Sequence, residues 1–130
     1  MKQEIKRLPS SELAVMQVLW EAGGPVTSAY VCGKLEKTKN WKITSVLTFL
    51  SRLAKRGFVG VTREGRENIY SVVISEGEYL RRESKTVLER LYGNSVTAFV
   101  SSLYDSKSIG REDLRELRDF LDKVEREGRQ

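Results

Sequence analysis

The residues with the most to offer chemically lie between Lys34 and Arg66. This stretch holds nine Lys/Arg against two Asp/Glu, a net of +7, whereas residues 1–33 balance at zero and residues 67–130 come to −2. Concentrated positive charge suits a polyanion, because neutralising phosphates releases condensed counterions. A well-solvated surface carries such charge too, and charge alone does not separate the two readings. Within residues 44–53, Thr44, Ser45, Leu47, Thr48, Ser51 and Arg52 remain once the apolar residues Val46, Phe49, Leu50 and Leu53 are set aside, and Lys42 precedes them. Small hydroxylic and basic side chains of this kind hydrogen-bond base edges and phosphates. Lys39 stands just ahead of them, and Arg63 and Arg66 follow on either side of Glu64-Gly65.

Other chemistry is poorly supplied. The 130 residues include no histidine and a single cysteine, Cys32. One cysteine builds no disulfide framework, which points to a reducing compartment. Zinc and copper sites lack their usual ligands, and the commonest general base is missing. The expectation is a protein that is not an enzyme and carries no metal or cofactor. Cys32 reads as a small buried hydrophobe, with a reactive thiol as the rarer alternative. The basic segment Met1–Leu8 is not followed by an apolar run, so it is not read as a signal peptide. No apolar stretch approaches the ~18 residues of a membrane span. The expected location is the cytoplasm.

The elements that must position these residues are legible from period and punctuation. Pro9-Ser10-Ser11-Glu12 carries a helix start signal, and Leu13, Met16 and Trp20 recur at helical spacing until Gly23-Gly24-Pro25 ends the run. Thr27 caps a second helix expected over 28–37, with Val31 and Leu35 inward. Thr38–Trp41 leads to a third helix over 43–55, closed by Gly57. Two β-rich runs within 58–74 then flank Arg63-Glu64-Gly65-Arg66, a hairpin in which Gly65 supplies positive φ. Ser75 and Glu78 form a capping box. The helices after it carry Leu80, Val87, Leu88 and Leu91, then Val96, Phe99, Val100 and Leu103, then Leu114, Leu117, Leu121 and Val124.

Three helices followed by a basic-tipped hairpin make the winged helix-turn-helix plan. The expected fold class is mainly α with a small β-hairpin wing: a winged helix-turn-helix N-terminal domain over 8–74 and C-terminal dimerisation helices over 75–127. A helix fits the major groove of B-DNA, and hairpin arginines grip phosphates or enter the minor groove. The alternative for Lys42, Thr44, Ser45, Thr48 and Arg52 is the solvent face of an amphipathic helix. Leu47 lies off the Val46/Leu50/Leu53 stripe. It either meets a thymine methyl or packs against a neighbouring loop. Arg63 and Arg66 either hold phosphates or protect an edge strand. Trp20 and Trp41 read as core or hinge packing.

The C-terminal stripes are more apolar than the winged domain can cover, and exposed patches of that kind mark an interface. Leu88, Leu91, Val96, Phe99, Val100, Leu103, Leu114, Leu117, Leu121 and Val124 are the expected dimerisation residues. A homodimer sets two recognition helices about one DNA turn apart (~34 Å); an intramolecular helical cap is the alternative. The resulting expectation is a repressor that binds a palindromic operator on double-stranded DNA. A protein from another functional class with the same features is a winged-helix interaction module that docks an acidic partner.

From Leu8 to about Lys123 the sequence resembles the penicillinase-repressor family of BlaI/MecI-like winged-helix repressors. The resemblance rests on Ser11–Met16 with Leu19-Trp20, on Trp41–Leu53, on Lys55-Arg56-Gly57-Phe58, on Tyr70-Ser71, and on Phe99-Val100 and Glu112–Leu117 in place. It implies a dimeric repressor whose groove-facing positions match Thr44, Ser45, Leu47 and Thr48. The best-known members have arginine where Leu47 stands, so the resemblance does not carry their operator preference over to this chain. Those members are inactivated by a sensor protease that cuts after an asparagine and before a phenylalanine matching Phe99; here Ala98 takes the preceding place. Copper-responsive relatives use a C-terminal cysteine cluster, which this chain lacks.

Overall fold

The computed structural model describes residues 7–128. The reading of the N-terminus as no signal peptide falls mostly on residues outside that range. The order is helix α1 (Ser10–Ala22), strand β1 (Val26–Thr27), helices α2 (Ser28–Lys39) and α3 (Ile43–Lys55), strands β2 (Val59–Glu64) and β3 (Glu67–Val72), and helices α4 (Glu76–Tyr92), α5 (Val96–Asp105) and α6 (Arg111–Gly128). The mainly helical plan with a hairpin wing is present. Contacts gather into two units, one up to Glu83 and one from Ser84 onward.

In the first unit the helical period brings one stripe from each of three helices together. Val15, Met16 and Leu19 of α1, Val31, Cys32 and Leu35 of α2, and Val46, Leu50 and Leu53 of α3 form one core. Phe58, Val59 and Tyr70 close it from the sheet. Full burial of each large apolar side chain stabilises by about 1.5–3 kcal/mol.

The start of α1 differs from its sequence signal. Pro9 is the N-cap and no side chain caps the helix. Glu12 is instead turned into the core at 1% exposure, where it accepts from the Arg56 guanidinium at the end of α3. A buried carboxylate needs such a partner, because desolvating an unpaired charge costs several kcal/mol.

The sheet holds three strands in the order β1-β3-β2, all antiparallel. Strand β1 escaped the sequence reading because two residues are too few to display alternation. It pairs Val26 with Tyr70 and Thr27 with Ile69, and Thr27 Oγ1 also accepts from Tyr30 N to cap α2, as expected. The β2–β3 ladder runs from Val59↔Val72 to Glu64↔Glu67, leaving Gly65-Arg66 as a two-residue turn. Gly65 sits at φ 62° and Arg66 is not in the positive-φ region. This is the type II′ pattern, which matches the twist of the flanking strands.

Within α4 the stripe read from the sequence began at Leu80, but Leu80 is exposed and Tyr79 is buried. The Tyr79 ring stands 5.8 Å from Phe58 and 5.9 Å from Trp20. Its hydroxyl accepts from the Leu8 amide at 2.9 Å, and Trp20 Nε1 donates to the Ile74 carbonyl at 3.0 Å. These bonds hold the first turns of α4 in the first unit, so the unit runs past Ile74 to Glu83. Tyr79→Phe is expected to cost about 1–3 kcal/mol, because it leaves a buried amide without a partner. The reading is a lower denaturant midpoint at unchanged slope; an unmoved midpoint would show that water replaces the hydroxyl.

In the second unit Ser95 caps α5 by accepting from Ala98 N at 3.0 Å. Neither α5 nor α6 has a buried residue. Leu91, Val96, Leu121 and Val124 are exposed, while Leu88, Phe99, Val100, Leu103, Leu114 and Leu117 are half-buried. Tyr104 and Phe120, which the sequence reading passed over, are exposed beside them. Among the described residues no helix is long and apolar enough to cross a membrane.

Candidate nucleic-acid interface

The turn between α2 and α3 fixes where the basic residues can point. Helix α2 runs to Lys39, two residues past the expected Lys37. Asn40 then takes the left-handed conformation at φ 56°, with its amide donating to Glu36 O at 3.0 Å. Asparagine tolerates this region better than most residues with a Cβ. Only Asn40, Trp41 and Lys42 separate the two helices. Trp41 is half-buried with its ring 5.4 Å from Phe49 at 65°, an edge-to-face contact that anchors the start of α3. Trp20 and Trp41 are thus packing residues, as expected.

Helix α3 is strongly two-sided. Val46, Leu50 and Leu53 have no exposure, whereas Thr44, Leu47, Thr48 and Arg52 are exposed. Lys42 is the exposed N-cap of α3 and Lys39 the exposed last residue of α2. Ser45 is half-buried at the margin of the outer face. Leu47 retains 40% exposure, so no neighbouring loop encloses it. The Thr48 hydroxyl donates to Thr44 O at 2.9 Å, which commits its proton to the helix. At the wing, Arg63 at the end of β2 and Arg66 in the turn are both exposed, and Arg63 Nε donates to Gly65 O at 3.3 Å. No acidic residue occurs between Glu36 and Glu64. The DNA-binding residues expected from the sequence therefore lie in one unit, at the end of α2, at the N-cap and on the outer side of α3, and at the wing tip, all of them exposed except the half-buried Ser45.

Two further residues on these surfaces were not among the DNA-binding positions expected from the sequence. Lys55 is exposed in the last turn of α3, and Ile43 is 60% exposed at its first residue. Nothing in the periodicity marks Ile43 as outward, because Leu50 lies at nearly the same azimuth two turns later and is fully buried. The core simply ends before it reaches the first turn.

Elsewhere, Cys32 is buried, and burial pushes its thiol up from the ordinary value. That keeps it protonated and inert, in line with a packing role. Ala98 and Phe99 lie in the first turn of α5. Phe99 N donates to Ser95 O at 3.2 Å and its ring is 5.0 Å from Tyr92.

Comparison with known proteins places this arrangement. Residues 8–123 match the family described as penicillinase repressor. The penicillinase repressor of Bacillus licheniformis is 28% identical over 120 residues, covering 92% of this chain and 93% of the relative. The solution structure of the DNA-binding domain of the repressor BlaI is 32% identical with a TM-score of 0.54, covering 60% of this chain and 94% of that one. The Bacillus licheniformis BlaI monomeric form, solved in complex with the blaP half-operator, is 33% identical with a TM-score of 0.51, covering 58% and 92%.

Proposed function

The chain belongs to the penicillinase repressor family, and from that footing we propose that it represses transcription by binding a palindromic operator on double-stranded DNA as a homodimer in the cytoplasm. The family is one of repressors, so the chain is a regulator and not an enzyme. In this reading α3 enters the major groove with Thr44, Ser45, Leu47 and Thr48 at base edges. Lys39, Lys42 and Arg52 hold neighbouring phosphates, and Arg63 and Arg66 grip the backbone beside the groove. The observation that carries the proposal is the outer face of α3. It is open and free of acidic residues while Val46, Leu50 and Leu53 on the inner face of the same helix are fully buried. A related repressor domain in complex with half an operator supports it.

The dimer in this proposal forms through the apolar faces of α4, α5 and α6, whose residues are exposed or only half-buried in a single chain. Release by a sensor protease between Ala98 and Phe99 requires the first turn of α5 to unwind, because proteases take their substrates as extended strands and this bond lies in a helix.

Selection of bound sequences from a random duplex pool tests the proposal, and an inverted repeat is the expected product. The wing has its own test. Arg63→Ala with Arg66→Ala should weaken binding to all duplexes alike and reduce the slope of log affinity against log salt by up to about one unit per lost phosphate contact. An unchanged affinity and slope would remove the wing from the interface.

A further inference from the structure

We infer that α3 reads thymine 5-methyl groups through an apolar pair, Ile43 and Leu47, so that the half-site of the operator carries thymines beneath the first two turns of α3. The inference rests on the reading of α3 as the groove-entering helix and goes on to name the bases it selects.

The pair stands four residues apart, so the two side chains are neighbours on one flank of the helix. Ile43 is 60% exposed and Leu47 40% exposed. Single exposed apolar residues are ordinary. Two adjacent ones in a field of exposed cations, with Lys42 ahead and Arg52 behind, are an unpartnered surface that water covers poorly. Helix α3 itself carries cations and no carboxylate, which fits a polyanion as the occupant; Glu36 of α2 lines the cleft beside Ile43 and Lys42, at the edge of the pair.

The composition of α3 narrows the choice of base. Bidentate recognition of guanine needs Arg or Lys, and that of adenine needs Asn or Gln. From Ile43 to Ser51 the helix has none of these and no Asp or Glu. The Thr48 hydroxyl proton is already given to Thr44 O. What remains for the middle of the groove is hydroxyls, which pair with any base and so select none by themselves, and apolar surface; the one apolar group that a base pair displays there is the thymine methyl.

The test uses the full chain and a duplex recovered from the random pool, remade with deoxyuridine in place of thymidine at one position at a time. Deoxyuridine pairs as thymidine does and lacks only the methyl. Expected are A·T-rich positions in each half of the selected site and, at one or two of them, a loss of about fourfold in affinity per methyl removed. Ile43→Ala with Leu47→Ala should bind the thymidine duplex about as weakly as the unaltered chain binds the deoxyuridine one, and should no longer distinguish the two. Both side chains are exposed, so the thermal midpoint of this variant should be unmoved. Equal affinity of the unaltered chain for both duplexes would overturn the inference while leaving the repressor reading intact. So would a double variant that keeps the full discrimination. A pool from which no duplex is enriched would overturn the repressor reading, and this inference with it.

Discussion

Arg56→Ala is expected to destabilise the first unit by about 3 kcal/mol. The reason lies with its partner. Glu12 is 1% exposed, and among the described residues its side chain is partnered by the Arg56 guanidinium alone. Removing the cation leaves a carboxylate in the core with nothing to compensate its lost hydration, the costly half of any buried ion pair. The estimate sits at the low end of the usual range because the Arg56 side chain is itself 37% exposed, which gives water a path once it is truncated. The pair also joins α1 to the C-cap of α3, so its loss loosens the helix that presents Thr44, Leu47 and Thr48. Denaturant unfolding of the single variant and of Glu12→Met with Arg56→Leu separates the two contributions. Replacing both charges by apolar groups of similar size should recover most of the loss, since such swaps are often neutral. A single variant within about 0.5 kcal/mol of the parent would show that the carboxylate is hydrated after all.

Leu117→Glu with Leu121→Glu is expected to leave the chain monomeric and to lower its affinity for a full palindromic site by about 10²–10⁴-fold, with half-site affinity unchanged. The size of the effect comes from linkage. Once one recognition helix is bound, a dimer presents the second at high effective concentration, and a monomer must recruit it from solution. The targets follow from α6, where Leu117 is half-buried and Leu121 is 53% exposed, on the same side as Leu114 and Val124. Leu114, Leu117 and Leu121 also line a cleft with Val96, Val100 and Tyr104 of α5. Two carboxylates placed on that face must either be desolvated or hold the partner away. Sedimentation of the variant beside the parent decides the matter. A variant that stays dimeric beside a dimeric parent would remove α6 from the proposed interface, a monomeric parent would remove the proposed dimer itself, and a monomeric variant that binds the palindrome as tightly as its parent would show that dimerisation contributes nothing to affinity.

Much of this could be read from residue order. The three N-terminal helices, the hairpin and its Gly65 turn, the Thr27 cap and the Ser75 start of α4 each rest on local rules: period, capping chemistry and permitted φ. So did the outward position of Thr44, Thr48 and Arg52, because a helix of known phase assigns faces by itself. The block from Trp41 to Phe58 pointed to the family.

What the residue order left open depended on contacts between distant segments. Strand β1 exists only because β3 offers it a ladder. Tyr79 displaced Leu80 as the inward residue because the Leu8 amide and the Phe58 and Trp20 rings wait at its position. Glu12, which looks like a helix-start acid, became a core residue because Arg56 reaches it across 44 positions of sequence. Ile43 shares its azimuth with Leu50, yet one is open and the other sealed. Periodicity gives direction around a helix axis, and only the packed neighbours decide how far along that axis the core extends.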